Sequence, residues 1–205
     1  MEEPERGAAF WDDRYRDVDR LWSPNPNALL AGFAAELTPG GAIDIGAGEG
    51  RNAIWLAKAG WSVTAVDVSE VGLARAAARA GEEGVELRWV VADWRAYRAP
   101  SPFDMAVISF MHPRPDERAA MFSHAGEMLA PGGHLFTVGV DLSELGRRGP
   151  RDGERLYTPE RLRDALEGFE VLRCETVAYE GESTEGPRPV VDSVAIARRP
   201  LPDAG

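Results

Sequence analysis

The sequence has very little cysteine and no long hydrophobic run. Its single cysteine, Cys174, excludes an internal disulfide and a zinc site built from several cysteines. No apolar run approaches the roughly 20 residues that a membrane-spanning helix needs. The acidic N-terminus also lacks the apolar stretch of a signal peptide. We therefore expect a cytoplasmic protein that does not act at a membrane.

Positive charge is also scarce, because 23 Lys and Arg oppose 34 Asp and Glu and the net charge is −11. Binding the phosphates of a nucleic acid requires many basic side chains, so this balance argues against such a partner. The basic stretch at 146–155 is either a solvated loop or a region that attracts a small anion. A length of 205 residues suits one domain, as a monomer or a homodimer.

Short apolar runs alternate regularly with amphipathic stretches from residue 42 to residue 140. The runs predict strands and the stretches predict helices, which indicates a parallel sheet covered on both faces. Two further runs follow without a helix between them, so they should pair antiparallel, joined by a loop that contains Gly, Ser and Pro. The predicted strands are 42–45, 61–66, 86–91, 105–110, 134–140, 169–180 and 189–200. The predicted fold is a three-layer, doubly wound α/β domain with a mostly parallel seven-stranded sheet and an antiparallel C-terminal strand.

Helices are predicted on both sides of these strands. Residues 1–37 form a helical N-terminal extension, with apolar stripes over 10–22 and 28–37, and residues 38–205 form the main domain. Thr158 and Pro159 are typical of the first positions of a helix. The other predicted helices are 51–59, 69–80 and 115–129, and a turn is predicted at 130–133.

The stretch DIGAGEG, residues 44–50, places three glycines directly after the first predicted strand. Glycines there permit positive φ and close approach to the backbone at the edge where ligands bind in such sheets. A dinucleotide-binding loop needs glycine where Arg51 stands, and the lysine of a phosphate-binding loop is missing. Asp67 and Asp93 end the next two strands. They are placed to hold ribose hydroxyls and an adenine amine, with Trp94 beside the purine face.

These motifs resemble those of the class I methyltransferases that use S-adenosyl-L-methionine (SAM), in the same order over roughly residues 40–140. The matching stretches are DIGAGEG, the acid Asp67, VVADW, FDMAVISF and LAPGGHLFT. The string GEGRNAIWLAKAGWSVTAVDVS and the upstream FWDDRY are most similar to the small tellurite-resistance and thiopurine-type methyltransferases. The resemblance implies methyl transfer from SAM to a small-molecule acceptor by in-line displacement, with S-adenosyl-L-homocysteine (SAH) as product.

The resemblance also implies which residues bind the cofactor. Asp44 is expected near the amino group of SAM, and the aromatic residues of the N-terminal segment, Trp22 among them, cover the cofactor unless they form an ordinary core stripe. The predicted cofactor-binding residues are Asp44, Gly46, Ala47, Gly48, Gly50, Arg51, Asn52, Asp67, Val68, Asp93, Trp94, Ser109, Phe110, Trp11 and Tyr15.

His112 directly follows the fourth predicted strand and is the only histidine placed to act as a general base. A loop histidine beside a proline is also commonly structural, so both interpretations stay open. His112, Arg51 and Arg114 are the predicted acceptor-binding residues, and no metal is predicted. The alternatives are a SAM-binding sensor or partner protein without activity, an aminopropyl transferase, and an NAD(P)-dependent oxidoreductase, which Arg51 disfavours.

Overall fold

The computed structural model describes residues 7–181 and 188–202, and the chain divides into two compact units at Val107/Ile108. The N-terminal unit contains α1 (Ala8–Arg16), α2 (Ala28–Ala34), β1 (Gly41–Ile45), α3 (Arg51–Lys58), β2 (Ser62–Asp67), α4 (Glu70–Glu82), β3 (Arg88–Val91) and most of β4 (Phe103–Ser109). The C-terminal unit contains the end of β4, α5 (Pro115–Glu127), β5 (Leu129–Val140), α6 (Pro159–Ala165), β6 (Glu170–Gly181) and β7 (Arg188–Arg198). Two short 3-10 turns, Leu142–Glu144 and Gly153–Arg155, precede α6.

The strands form one seven-stranded sheet in the order β3-β2-β1-β4-β5-β7-β6. β1 pairs with β2 and β2 with β3 in parallel, whereas β7 runs antiparallel to both β5 and β6. The prediction of a mostly parallel sheet with an antiparallel C-terminal strand is therefore confirmed. The loop predicted between the last two strands lies at 182–187, outside the described residues.

Local sequence signals set the beginnings of several helices. The side chain of Ser69 accepts a hydrogen bond from Gly72 N and caps α4. Thr158 caps α6 in the same way, followed by Pro159 at the first helical position, as predicted. Asn27 caps α2 by accepting from two backbone N–H groups. No helix within the described part of the chain is long and apolar enough to cross a membrane.

The first helix is shorter than predicted, and a distant carboxylate binds backbone N–H groups of the residues that follow it. α1 ends at Arg16 instead of continuing to Trp22. The N–H groups of Leu21 and Trp22 donate to Glu49 Oε2 at 3.0 and 3.1 Å, so they are not available for helical hydrogen bonds. The predicted apolar stripe consequently breaks, and the side chain of Trp22 is 42% exposed.

The ends of two strands also differ from the prediction. β5 begins at Leu129, so the turn predicted at 130–133 is wrong. Its glycines pair with the chain that follows β7: Gly132 N donates to Arg199 O at 2.9 Å, and Arg199 N donates to Gly133 O at 2.8 Å. β4 ends at Ser109, one residue earlier than predicted, because Phe110 has a φ of 57°.

Candidate functional site

The loop between β1 and α3 is held against the end of β2 by its own backbone. Gly46, Gly48 and Gly50 have φ values of 74°, 54° and 73°, in the left-handed region that favours glycine. Gly46 N donates to Val66 O at 2.8 Å, and Gly48 N donates to Asp67 Oδ2 at 2.8 Å. These bonds fix the loop at the carboxyl ends of β1 and β2, where the sequence places the predicted site.

Protein side chains make the close approaches to this loop in the structure. A Cβ on Gly48 would lie 2.5 Å from the hydroxyl oxygen of Tyr15. A Cβ on Gly50 would lie 2.8 Å from the Cβ of Ala76 and 3.2 Å from the ring of Trp89. Gly48 and Gly50 are thus required by the packing of the N-terminal unit itself as well as by their backbone conformation.

Asp67, at the end of β2, is held in one orientation by backbone donors. Its Oδ1 accepts from Ser69 N at 2.8 Å, while Oδ2 accepts from Gly48 N. Burial raises the pKa of Asp67, and the hydrogen bonds from Ser69, Gly48 and Val68 oppose this effect. Each carboxylate oxygen has a second lone pair, so Asp67 retains capacity to accept from a ligand hydroxyl.

Asp44, at the end of β1, is a buried acid with few partners. Asp44 is 2% exposed. Burial and the charge of Asp67 raise its pKa to about 7, whereas Arg51 and the backbone N–H of Ala53 lower it. No cation forms an ion pair with Asp44 among the described residues. An ammonium group of a ligand would therefore favour the ionised form of Asp44.

Asp93 and Trp94, beyond the end of β3, are both engaged with Arg95. Asp93 accepts from Arg95 N at 2.8 Å and from its guanidinium at 2.9 and 3.1 Å. The guanidinium also lies 4.6 Å from the centre of the Trp94 ring. Asp93 thus caps the turn that follows β3, which is the structural interpretation of this residue. An adenine that stacked on this face of Trp94 would compete with Arg95.

The N-terminal segment contacts the glycine loop through Tyr15. Tyr15 is 3% exposed, and its hydroxyl accepts from Trp22 Nε1 at 3.2 Å. Burial raises the pKa of this hydroxyl. The ring of Trp11 lies 6.3 Å from that of Tyr15. Asp12, which sequence reasoning missed, accepts from Ser69 Oγ at 2.5 Å and thereby ties α1 to the start of α4.

Glu49 is a second residue that sequence reasoning missed. Besides the N–H groups of Leu21 and Trp22, it contacts Arg75 Nη1 at 3.5 Å. An acidic residue between two glycines of a ligand-binding loop was the available signal. Asn52, which is predicted to contact a ligand, accepts from Asn27 N at 2.9 Å through its side-chain oxygen.

Of the remaining predicted residues in the N-terminal unit, three flank the two acids. Ala47 N donates to Val66 O at 3.2 Å within the glycine loop, Arg51 begins α3, and Val68 lies half-buried between β2 and α4.

The C-terminal unit begins with an unusual pair of residues at the end of β4. The Ser109 hydroxyl is buried and has no hydrogen-bond partner within the described residues. The next residue, Phe110, has a positive φ although it is not glycine, and its N–H donates to Val138 O at 2.7 Å. Strained backbone of this kind is concentrated at functional sites.

His112 is bound to backbone on both sides of its ring. Val140 N donates to Nε2 at 3.3 Å, and Nδ1 lies 3.0 Å from Arg155 O. Nε2 is therefore an acceptor, Nδ1 carries the proton, and protonation of Nε2 would break the bond from Val140. This geometry opposes the predicted role of His112 as a general base and favours the structural interpretation. Arg114 is exposed at the start of α5 and donates from its backbone N–H to Glu117.

Comparison with known proteins agrees with this fold. Residues 42–133 match the family described as methyltransferase domain. The ubiquinone biosynthesis O-methyltransferase of Caulobacter vibrioides is 27% identical over 156 residues, which are 68% of this chain and 60% of that protein. This chain thus spans about 60% of the length of that curated relative.

Solved structures support the fold. TehB from Haemophilus influenzae superposes with a TM-score of 0.70 at 18% identity, over 94% of this chain and 66% of that one. The N-methyltransferase NodS from Bradyrhizobium japonicum, in complex with SAH, gives a TM-score of 0.68 at 19% identity, over 92% of this chain and 96% of that one. At identities this low, the superpositions show a shared fold and no more.

The sheet order and the glycine loop define a class I methyltransferase fold. Residues 42–133 of the chain match a methyltransferase domain, and the fold is shared with solved SAM-dependent methyltransferases. The resemblance that the sequence motifs indicated is confirmed.

Proposed function

We propose that this protein transfers a methyl group from SAM to a small-molecule acceptor and releases SAH. The observation that carries the proposal is the arrangement at the carboxyl ends of β1 and β2. There, Asp44, a buried acid that forms no ion pair among the described residues, lies at the start of a loop that Asp67 binds through Gly48 N. A ligand with an ammonium group and a ribose matches both acids.

The residues of the N-terminal unit fit SAM by the chemistry of their donors and acceptors. Asp44 would bind the amino group, and Asp67 would accept from the ribose hydroxyls through its remaining lone pairs. Val68 and Trp94 would contact the adenine, once Arg95 leaves the ring face. The cofactor supplies a methyl group on a positively charged sulfur, which makes the methyl a strong electrophile.

In this proposal the role of the protein is binding and orientation. An acceptor whose nucleophilic atom is already an anion needs no base. Alignment of that atom with the methyl group then accounts for most of the acceleration. Because both ring nitrogens of His112 hold backbone groups, His112 is assigned a positioning role in the C-terminal unit. Residues 1–37 remain the proposed covering segment, with Tyr15 as its contact to the loop. Ser109 and Phe110 remain proposed ligand contacts at the end of β4.

Calorimetry of SAM and SAH binding tests the proposal, together with detection of SAH after incubation with thiols, phenols, amines and chalcogen oxyanions. We expect SAM to bind the wild type, and Asp67→Asn and Asp44→Asn to bind it about 10- to 100-fold more weakly. Asp104→Asn is the matched control, because Asp104 accepts from Gly41 N at the amino end of β1. Its SAM affinity should be unchanged.

The alternatives give different results in the same experiment. SAM binding without any methylated product would favour a sensor or partner protein. Binding of NAD(P) with no heat from SAM or SAH would refute the proposal. An equal loss of affinity in Asp104→Asn would show that the effect of the other two variants is a loss of folded protein.

A further inference from the structure

Arg118, in the second turn of α5, is a buried cation that has no carboxylate partner among the residues the structure describes. The residue is 6% exposed, and its Nε is buried without a hydrogen bond. Nη2 donates to the backbone carbonyl of Glu154 at 2.7 Å, and the guanidinium lies 5.2 Å from the centre of the Tyr157 ring. The carboxylate of Glu154 is paired elsewhere, with Arg161 at 3.0 Å.

Such an environment is unfavourable for a guanidinium. A buried charge is normally paired with an opposite charge, because desolvation of an unpaired ion is costly. Another basic residue of the same unit, Arg148, follows this rule and pairs with the buried acid Asp192. Arg118 has one neutral carbonyl and an aromatic face, and burial lowers its pKa. An anion that reached Arg118 would complete its hydrogen bonds and neutralise its charge.

Residues 151–157 form the segment that contacts Arg118, with residues 151–154 at its tip and residues 155–157 at its base. At the base, Tyr157 is fully buried and its N–H donates to Val140 O at 3.0 Å. Residues 151, 152 and 154 at the tip are exposed. The contact between Arg118 and the tip is a bond to a neutral carbonyl, and a carboxylate is a stronger acceptor for a guanidinium.

The surrounding elements place this cluster at the carboxyl ends of β4 and β5 within the C-terminal unit. Arg118 lies shortly after β4, and Tyr157 forms an isolated bridge with Asp141, directly after β5. In open α/β sheets, ligands bind beyond the carboxyl ends of the strands. The buried cation is therefore on the edge where a substrate is expected.

We propose that Arg118 binds a carboxylate group of the methyl acceptor. In the free protein the backbone carbonyl of Glu154 occupies the position of that carboxylate. This inference rests on the proposed function and names its substrate class: carboxylic acids that carry a separate nucleophilic group. A planar carboxylate accepts two parallel hydrogen bonds from a guanidinium, and its single negative charge matches the single buried positive charge.

Two acceptors that differ only in this group provide the test, 3,4-dihydroxybenzoate and 3,4-dihydroxybenzamide. SAH formation gives kcat/KM for each, and calorimetry gives Kd for each, with and without SAH. We expect the wild type to prefer the benzoate by about 10- to 100-fold in kcat/KM or in Kd. Arg118→Met should reduce this preference to about twofold or less. Arg118→Lys, which keeps the charge but not the planar fork, should be intermediate.

Arg161→Met is the matched control. Arg161 also holds the segment, through Gly153 O at 2.7 Å and Leu156 O at 3.0 Å, but its charge is paired with Glu154. The Arg161→Met variant should keep the preference for the benzoate. The inference is overturned if the wild type shows no preference, or if Arg118→Met and Arg161→Met weaken both probes equally. Failure of the proposed function would appear separately, as absence of SAM binding, while the benzoate and benzamide affinities still decide the role of Arg118.

Discussion

The raised pKa of Asp44 leads to a quantitative prediction for the variant Asp44→Asn. The acid is fully buried, and burial together with the charge of Asp67 moves its pKa from the ordinary value of 3.8 to about 7. Between these two values the folded protein keeps a proton that the unfolded chain has released. The protonated carboxyl group of Asp44 therefore contributes its full share of stability at low pH. This contribution is lost as the pH rises from about 4 to about 7.

The size of this effect follows from the two pKa values. Each pH unit between them corresponds to about 1.4 kcal/mol, so ionisation of Asp44 lowers the free energy of unfolding by up to about 4 kcal/mol at pH 8. Asparagine keeps the shape and still accepts from Ala53 N, but it does not ionise. The free energy of unfolding of Asp44→Asn, relative to that of the wild type, should thus rise by about 4 kcal/mol between pH 4 and pH 8.

Urea denaturation of both proteins without ligand, at pH values from 4 to 8, measures this difference. Folding without ligand favours the protonated form of Asp44, whereas SAM binding should favour the ionised form, because the ammonium group of SAM stabilises the negative charge. The affinity of the wild type for SAM should rise about fivefold between pH 6 and pH 7, and that of Asp44→Asn should not. A stability difference that stays constant within about 1 kcal/mol across the pH range would refute the argument that burial raises this pKa.

Three further predictions follow from single contacts. Gly48→Ala should lose about 1–3 kcal/mol of stability and most SAM binding, because its φ is 54° and its Cβ would meet the Tyr15 hydroxyl; unchanged denaturation and calorimetry would contradict this. Glu49→Gln should lower the free energy of unfolding by about 1 kcal/mol and speed amide hydrogen exchange in residues 17–22. Equal exchange in both proteins would show that the Glu49 carboxylate does not hold this segment. His112→Ala should lose about 2 kcal/mol but leave the pH dependence of kcat unchanged, and disappearance of an ionisation near neutral pH would restore its role as a base.

The elements around the candidate site that the sequence predicts correctly depend on short-range patterns. The strand before Gly46, the helix from Arg51 and the acid at the end of β2 are each readable within a few residues, because strand periodicity, capping and glycine conformation are local properties. The order of these motifs along the chain was sufficient for the fold and the family. The cap at Thr158 was found for the same reason.

The errors occur where distant residues compete for the same backbone groups. The end of α1 depends on Glu49, 27 residues beyond Trp22, and the start of β5 depends on Arg199. No local pattern contains either partner. The tyrosine on the N-terminal segment was predicted as a candidate, but its contact with Gly48 follows from the folded position of α1.

The amino-acid sequence by itself determined the alternation of strands and helices, the left-handed glycine loop and the acids at the strand ends, since these follow from the conformational preferences of neighbouring residues. The tertiary structure alone decided how each of those groups is used. Hydrogen bonds and burial between distant residues put Tyr15 against the loop and bound both nitrogens of His112 to backbone. They also left Asp44 and Arg118 buried without an ion pair in the described structure.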